Sequence, residues 1–229
     1  MMCRALLFDL FDTLIHIGPM GYRAESIRLA LEAGIREDRW IAAWRSTAEA
    51  AMLGEIGSLE ERVTCALLAA GMASPPATLV RALVAARQPG GVYAPRARLY
   101  EDVKAGLALL RRRGVKTALL SNIFSYETEI VDRLGLPALL DALVLSCQVG
   151  ICKPDPRIYL EAAERLSVNP SECVFVGDGM NRELSGARAV GMTAVRIERS
   201  DRDEEEERDD VYDARVSTLA ELADWIRAR

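Results

Sequence analysis

Histidine is almost absent from this sequence: His16 is the single histidine among 229 residues. A zinc site, or a catalytic triad that depends on histidine, is therefore close to excluded. The five cysteines are scattered and form no C-x-x-C pair, which favours reduced thiols in a cytosol over a disulfide framework. No run approaches the ~20 apolar residues of a membrane span, and Asp9 interrupts the N-terminal apolar run, which makes it a poor signal peptide. The sequence predicts a cytoplasmic protein with no membrane partner.

Negative charge is not spread evenly, although the net charge is −5. Residues 201–210, DRDEEEERDD, hold eight acids and two arginines, which leaves a charge of about +1 on the rest of the chain. We expect a solvated loop here, with a partner-binding tail as the alternative. Nothing in this balance indicates a nucleic-acid-binding surface.

Short apolar runs alternate with helical patterns over most of the chain. The runs that predict strands are residues 4–8, 115–120, 142–146, 173–177 and 193–197. Glycines end two of the helical patterns, at Gly114 and Gly135, and Asp155 with Pro156 can begin another. Thr218 with Glu221 can form a capping box at the start of the last one. Such alternation is typical of an α/β fold. We therefore predict a Rossmann-like parallel sheet of five strands with helices on both faces.

Residues 22 to about 87 interrupt this alternation, because four helical segments follow one another with no strand between them. The flanking sequences GPMG, residues 18–21, and QPGG, residues 88–91, are typical of hinges. The simplest interpretation is a four-helix cap domain, residues 16–95, inserted after the first strand. Residues 1–15 and 96–229 would then form the α/β core domain.

Polar residues follow four of the predicted strands, at the edge where an open parallel sheet binds its ligands. They are Asp9, Asp12, Ser121, Asn122, Lys153, Asp178 and Glu183. Taken singly, most of them also occur as turn residues or helix caps. Lys153 is less ordinary, because the chain has only three lysines among its 29 basic residues.

Together these residues form a chemical set. Several carboxylates around one point need a hard cation such as Mg²⁺, while a hydroxyl, an amide and an ammonium suit phosphoryl oxygens. One carboxylate is then available as a nucleophile or as an acid and base. The set predicts phosphoryl transfer through an aspartyl-phosphate.

Four motifs in this order, DLFDTL, LLSN, ICKPDPRIY and VFVGDGMNREL, resemble those of the haloacid dehalogenase superfamily. The likeness is to the phosphatase branch, in which a helical cap follows the first strand. The resemblance implies that Asp9 is the nucleophile and that Asp12 protonates the leaving oxygen and then activates water. It also implies that Ser121 and Asn122 bind the phosphoryl group and that Lys153 neutralises charge.

The resemblance further implies a Mg²⁺ site. Asp9, Asp178 and the backbone carbonyl of Asp12 would be its ligands. The last motif departs from the family pattern, which commonly continues with Asn-Asp where this chain has Arg182 and Glu183. Glu183 can reach the metal, although its side chain is one methylene longer; a surface ion pair between Arg182 and Glu183 is the alternative.

Several functional alternatives stay open. A 2-haloacid dehalogenase uses the same fold and the same first aspartate, but the presence of Asp12 and Asp178 favours a phosphatase of small phosphorylated metabolites. A non-catalytic phosphate-binding module and a sugar-phosphate mutase are the other candidates. Dinucleotide binding at Gly177-Asp178-Gly179 is disfavoured, since position 182 is arginine where GxGxxG requires glycine.

Residues of the predicted cap or its hinge would select the substrate. Four candidates for contact with the substrate are His16, Met20, Tyr22 and Glu55, and packing in the core is the alternative for the first three.

Overall fold

A computed structural model describes residues 3–17, 22–91, 97–199 and 211–228. Its central sheet has six parallel strands, namely β1 Ala5–Phe8, β4 Lys116–Ser121, β5 Ala142–Leu145, β6 Cys173–Gly177, β7 Thr193–Ile197 and β8 Ala214–Val216. Their order across the sheet is β5-β4-β1-β6-β7-β8. The α/β class and the five predicted strands are confirmed. The predicted strand count is wrong by one.

The sixth strand, β8, pairs with β7 at the edge of the sheet. It has only three residues, and Arg215 at its centre is exposed. A short edge strand has neither the apolar run nor the alternation by which a strand is found in sequence.

Helices cover both faces of the sheet. In the α/β part they are α6 Val103–Arg112, α7 Glu129–Arg133, α8 Leu136–Leu139, α9 Ser146–Val149, α10 Pro156–Arg165, α11 Glu183–Ala189 and α12 Leu219–Arg227. Side chains of β1 alternate between the two apolar cores: Leu6 and Phe8 pack with Leu107 of α6, and Leu7 packs with Tyr159 of α10. A strand buried on both faces explains why its sequence is continuously apolar.

The predicted helix starts and stops are observed. The Asp155 side chain accepts a hydrogen bond from the backbone N–H of Arg157 at the start of α10. The Thr218 side chain does the same for Glu221 at the start of α12. Gly114 and Gly135 have φ angles of 72° and 70°, the left-handed conformation that glycine adopts without strain.

Within residues 22–91 the structure describes five helices, where the sequence predicts four. They are α1 Tyr22–Glu32, α2 Glu37–Ser46, α3 Ala48–Met52, α4 Leu59–Ala69 and α5 Ala77–Gly91. The helical spacing of Trp40, Trp44, Ala48 and Met52 predicts one helix here. The structure divides it at Thr47, whose hydroxyl donates to the carbonyl of Trp44 at 2.9 Å. Such a bond between a hydroxyl and a nearby carbonyl competes with the regular helix. These helices share a core that includes Trp40, Val63 and Leu83.

A two-stranded antiparallel ribbon lies where the chain leaves the first strand and where it returns. Its strands are β2 Ile15–His16 and β3 Arg98–Leu99. The predicted hinge 88–91 forms the last turn of α5. The other predicted hinge, 18–21, and the acidic segment 201–210 lie outside the described residues. None of the helices in the described ranges is long and apolar enough to cross a membrane.

Candidate active site

Asp9 stands at the carboxyl end of β1, in the middle of the sheet. Its backbone N–H continues the parallel ladder by donating to the carbonyl of Val176 at 2.9 Å, and the residue is only 6% exposed. Asp12 follows in a tight turn with a φ angle of 51°, and its N–H donates to the carbonyl of Ile15 at 2.9 Å. A positive φ at a residue other than glycine is uncommon. The turn holds both carboxylates at one end of the same strand.

Lys153 brings its ammonium to Asp9 from a distant part of the chain. Its Nζ donates to an Asp9 carboxylate oxygen and, at 2.6 Å, to Oε2 of Glu183. Nζ also lies 5.3 Å from the centre of the Phe175 ring. Burial lowers the pKa of Lys153, but the attraction of Asp9 and Glu183 outweighs it and the net shift is upward. The ammonium therefore stays charged at neutral pH.

Glu183, the first residue of α11, is buried between this lysine and the end of β6. Its Oε1 accepts a hydrogen bond from the N–H of Gly179 at 3.1 Å, and its backbone carbonyl accepts one from the Tyr159 hydroxyl at 2.8 Å. A Cβ added to Gly177 would overlap Oε1 of Glu183. Burial, followed by repulsion from Asp9, raises the pKa of Glu183, although Lys153 opposes the shift. Glu183 thus pairs with Lys153 inside the protein and does not form the alternative surface pair with Arg182.

Three buried carboxylates form a group that fits a metal ion. Each of Asp9, Asp178 and Glu183 offers an oxygen, and these atoms lie within 4.8 Å of one another. Hard oxygen donors of this kind suit Mg²⁺, and a cation would offset the repulsion between them. The carboxylate of Asp12 is not a member of this group. That Asp12 binds the metal through its backbone carbonyl stays a prediction.

A cavity of about 300 Å³ opens onto these groups. Six of the seven predicted site residues line it, namely Asp9, Asp12, Asn122, Lys153, Asp178 and Glu183. Ser121 is not in this lining among the described residues; it is fully buried as the last residue of β4. Its role in phosphate binding therefore stays a prediction.

The Asn122 side chain bonds to the backbone of Lys153. Its Nδ2 donates to the Lys153 carbonyl at 2.9 Å, and its Oδ1 accepts from the Lys153 N–H at 2.8 Å. The sequence predicts that this amide contacts phosphate, and it gives no indication that the amide bonds to the backbone of Lys153.

The four candidates for contact with the substrate have different outcomes. His16 lies in β2, with its ring centre 6.0 Å from that of Tyr100. Glu55 is exposed and outside the cavity lining, within the described residues. Met20 and the side chain of Tyr22 lie outside what the structure describes.

Sequence reasoning missed Glu127, which lines the cavity from a single 3₁₀ turn after β4. Glu127 is 4% exposed, and within the described part of the chain its Oε2 has no hydrogen-bond partner. Burial raises its pKa to about 8, against the opposing effect of Arg62 and Arg87. An acid inside an irregular turn carries no periodic signal, which is why the sequence did not reveal it.

Comparisons with known proteins agree on one family. A model of haloacid dehalogenase-like hydrolases matches residues 3–191. Glyceraldehyde 3-phosphate phosphatase of Methanopyrus kandleri is 35% identical over 233 residues, covering 99% of this chain and 98% of that protein. (S)-2-haloacid dehalogenase 1 of a Pseudomonas species is 37% identical over 107 residues, covering 46% of this chain and 47% of that protein. The crystal structure of a HAD phosphatase from Thermococcus onnurineus superposes with a TM-score of 0.66 at 25% identity, covering 97% of both chains.

Proposed function

The chain belongs to the haloacid dehalogenase-like hydrolases, and from this membership we propose that it is a Mg²⁺-dependent phosphatase of small phosphomonoesters that forms an aspartyl-phosphate. One observation carries the proposal: a buried aspartate at a strand end is paired with a buried lysine beside two further carboxylates. This arrangement supports a nucleophile whose charge is balanced, together with a site for a cation.

In the first step, an Asp9 oxygen forms a bond to phosphorus while the bond between phosphorus and the ester oxygen breaks. Asp12, which lines the same cavity, gives its proton to the departing oxygen. The Lys153 ammonium offsets the negative charge that Asp9 and the phosphoryl oxygens bring together. Ser121 keeps its predicted contact with a phosphoryl oxygen, with Asn122 nearby.

In the second step, Asp12 takes a proton from water as that water attacks phosphorus. The bond between phosphorus and Asp9 breaks, so phosphate leaves and both aspartates return to their first state. Mg²⁺ held by Asp9, Asp178, Glu183 and the backbone carbonyl of Asp12 would supply additional charge stabilisation of the phosphoryl oxygens. The hydrogen bonds of Glu183 to Lys153 and Gly179 fix one of these carboxylates in advance.

The substrate is a small molecule in this proposal. A cavity of about 300 Å³ is at the lower end of the range for ligand pockets. The phosphatase of M. kandleri, which is similar over the full length, makes glyceraldehyde 3-phosphate the first compound to test. The enzyme would act in the cytoplasm.

The proposal also divides the chain into two domains. Residues 1–15 and 96–229 form the α/β core, and residues 16–95 form a helical cap with hinge linkers that closes over the cavity. The chain passes between the two parts at β2 and again at β3, and these two strands pair with each other. This pairing supports the division. Closure would exclude water and hold the leaving group.

A dehalogenase is the second candidate, favoured by the partial likeness to the Pseudomonas enzyme. The cluster of three carboxylates, from Asp9, Asp178 and Glu183, disfavours a dehalogenase, because displacement of a halide by an aspartate needs no cation. The test is a release assay with a panel of phosphomonoesters and with 2-chloropropionate, each with and without EDTA. We expect phosphate release that EDTA abolishes; chloride release that EDTA leaves unchanged would favour the dehalogenase.

A further inference from the structure

Asn122 and Lys153 are 31 residues apart, yet one amide group satisfies both backbone polar groups of the lysine. The two bonds, 2.9 Å from Nδ2 to the carbonyl and 2.8 Å from the N–H to Oδ1, have ordinary lengths and opposite directions. Two opposed bonds fix the orientation of the amide and the position of the lysine main chain together.

Lys153 needs such support because it lies outside any helix or strand. The residue falls between α9, which ends at Val149, and α10, which begins at Pro156. Its side chain has four methylene groups, and its ammonium must meet two carboxylates at once. A loop that shifts its backbone would therefore shift the ammonium as well.

Asn122 stands at the end of a buried strand inside the central sheet. It directly follows β4, and β4 pairs in register with β1, the strand that ends before Asp9. The amide therefore ties the lysine loop to the same sheet that carries the nucleophile.

We propose that Asn122 is a positioning residue, which holds the Lys153 main chain so that the ammonium meets the Asp9 carboxylate. The inference rests on the proposed function and changes the predicted role of Asn122 from binding phosphate to acting through Lys153. Catalysis is sensitive to such placement, since a misplacement of ~1 Å can cost on the order of 100-fold in rate.

The test is a double-mutant cycle with Asn122→Ala and Lys153→Ala, read as kcat and KM for the best phosphomonoester. We expect Asn122→Ala alone to lower kcat about 10- to 100-fold and to change KM less than about threefold. In the Lys153→Ala background the same substitution should lower kcat less than about twofold, because a residue that acts only through Lys153 has nothing left to position. An equal fall in kcat in both backgrounds, or an effect on KM alone, would overturn the inference.

Two further variants keep the test decisive. Asn122→Asp retains the acceptor for the Lys153 N–H and loses the donor to its carbonyl, so its kcat should lie between those of the wild type and Asn122→Ala; it replaces Asn122→Ala in the cycle if that variant does not fold. Asn169→Ala is the matched control, since its amide bonds Glu172 outside the cavity lining, and its kcat should be unchanged. If Asp9→Asn stays active, the proposed function fails; if Asp9→Asn is inactive while Asn122→Ala keeps its full kcat, only the positioning role fails.

Discussion

The guanidinium of Arg62 donates a hydrogen bond to the hydroxyl of Tyr126 at 2.7 Å, and this bond joins α4 to the loop that follows β4. The guanidinium carbon lies 4.1 Å from the Trp44 ring centre and 4.2 Å from that of Phe124. Arg62 is 2% exposed. A buried cation between two rings is stabilised by their electron-rich faces, so this contact holds α4 against the wall of the cavity.

Tyr126→Phe removes the hydroxyl oxygen from this contact and leaves the ring. We expect the free energy of unfolding to fall by about 1–3 kcal/mol, because one donor of a buried charged group loses its partner. Urea unfolding measures the effect. Tyr212→Phe in the α/β part is the control, with an expected change below about 0.5 kcal/mol. Equal stability of the wild type and Tyr126→Phe would show that the hydrogen bond contributes nothing.

Asp9→Asn tests the nucleophile. An amide cannot form the bond to phosphorus, so phosphate release should fall on the order of 10³-fold or more, while circular dichroism should show an unchanged fold. Asp155→Asn makes the same chemical change at the start of α10, where asparagine caps a helix as well as aspartate. Its activity should equal that of the wild type. An Asp9→Asn enzyme with full activity would contradict the assignment.

The strand ends explain how much of the site the sequence could predict. Asp9 and Asp178 follow short, continuously apolar runs. Parallel strands place their carboxyl ends at one edge of the sheet, so the amino-acid sequence alone predicts that these two residues meet. The ends of β1 and β6 do lie side by side, and both residues line the cavity.

Other features depend on contacts that no local pattern encodes. The amide of Asn122 meets the backbone of Lys153 across 31 residues, and periodicity carries no information on such a pairing. Glu127 lies in an isolated turn, and Thr47 divides a continuous helical pattern through a side-chain bond. Strand β8 is too short and too exposed for its sequence to stand out. The bonds between Asn122 and Lys153 are tertiary contacts, and the bond from Thr47 to Trp44 is a local one that apolar periodicity does not record.

Gly177→Ala tests the contribution of Glu183 to the cation site. The added Cβ would overlap Oε1 of Glu183 and would lie 2.9 Å from the Phe175 ring, so the carboxylate must move away from the end of β6. We expect the Mg²⁺ concentration for half-maximal activity to rise about 10- to 100-fold, the usual effect of a disturbed ligand shell, and the thermal shift on adding Mg²⁺ to shrink.

Gly57→Ala is the control for that substitution. A Cβ at Gly57 meets only Glu61 Oε2, at an ordinary contact distance of 3.8 Å, and this part of the chain lies between α3 and α4. Its Mg²⁺ dependence should be that of the wild type. If Gly177→Ala also keeps the wild-type dependence, Glu183 does not contribute to metal binding.

Glu127→Gln tests how far the buried acid in the cavity wall lowers the free energy of unfolding when it ionises. Burial raises the pKa of Glu127 from 4.5 to about 8 although Arg62 and Arg87 oppose the shift. Between these values the unfolded chain has lost the proton that the folded protein still holds. The folded state is therefore favoured by this group at low pH, and its contribution declines as the pH rises towards 8.

The measurement compares the free energies of unfolding of the wild type and Glu127→Gln from pH 5 to pH 9. Glutamine cannot ionise, so the variant should gain stability relative to the wild type as the pH rises, by up to about 4 kcal/mol at pH 9. Other titrating groups, such as Glu183, are present in both proteins and largely cancel in the difference. A difference that stays constant across this range would mean that Glu127 ionises equally easily in the folded and unfolded states, and the wall of the cavity would then carry a full negative charge at neutral pH.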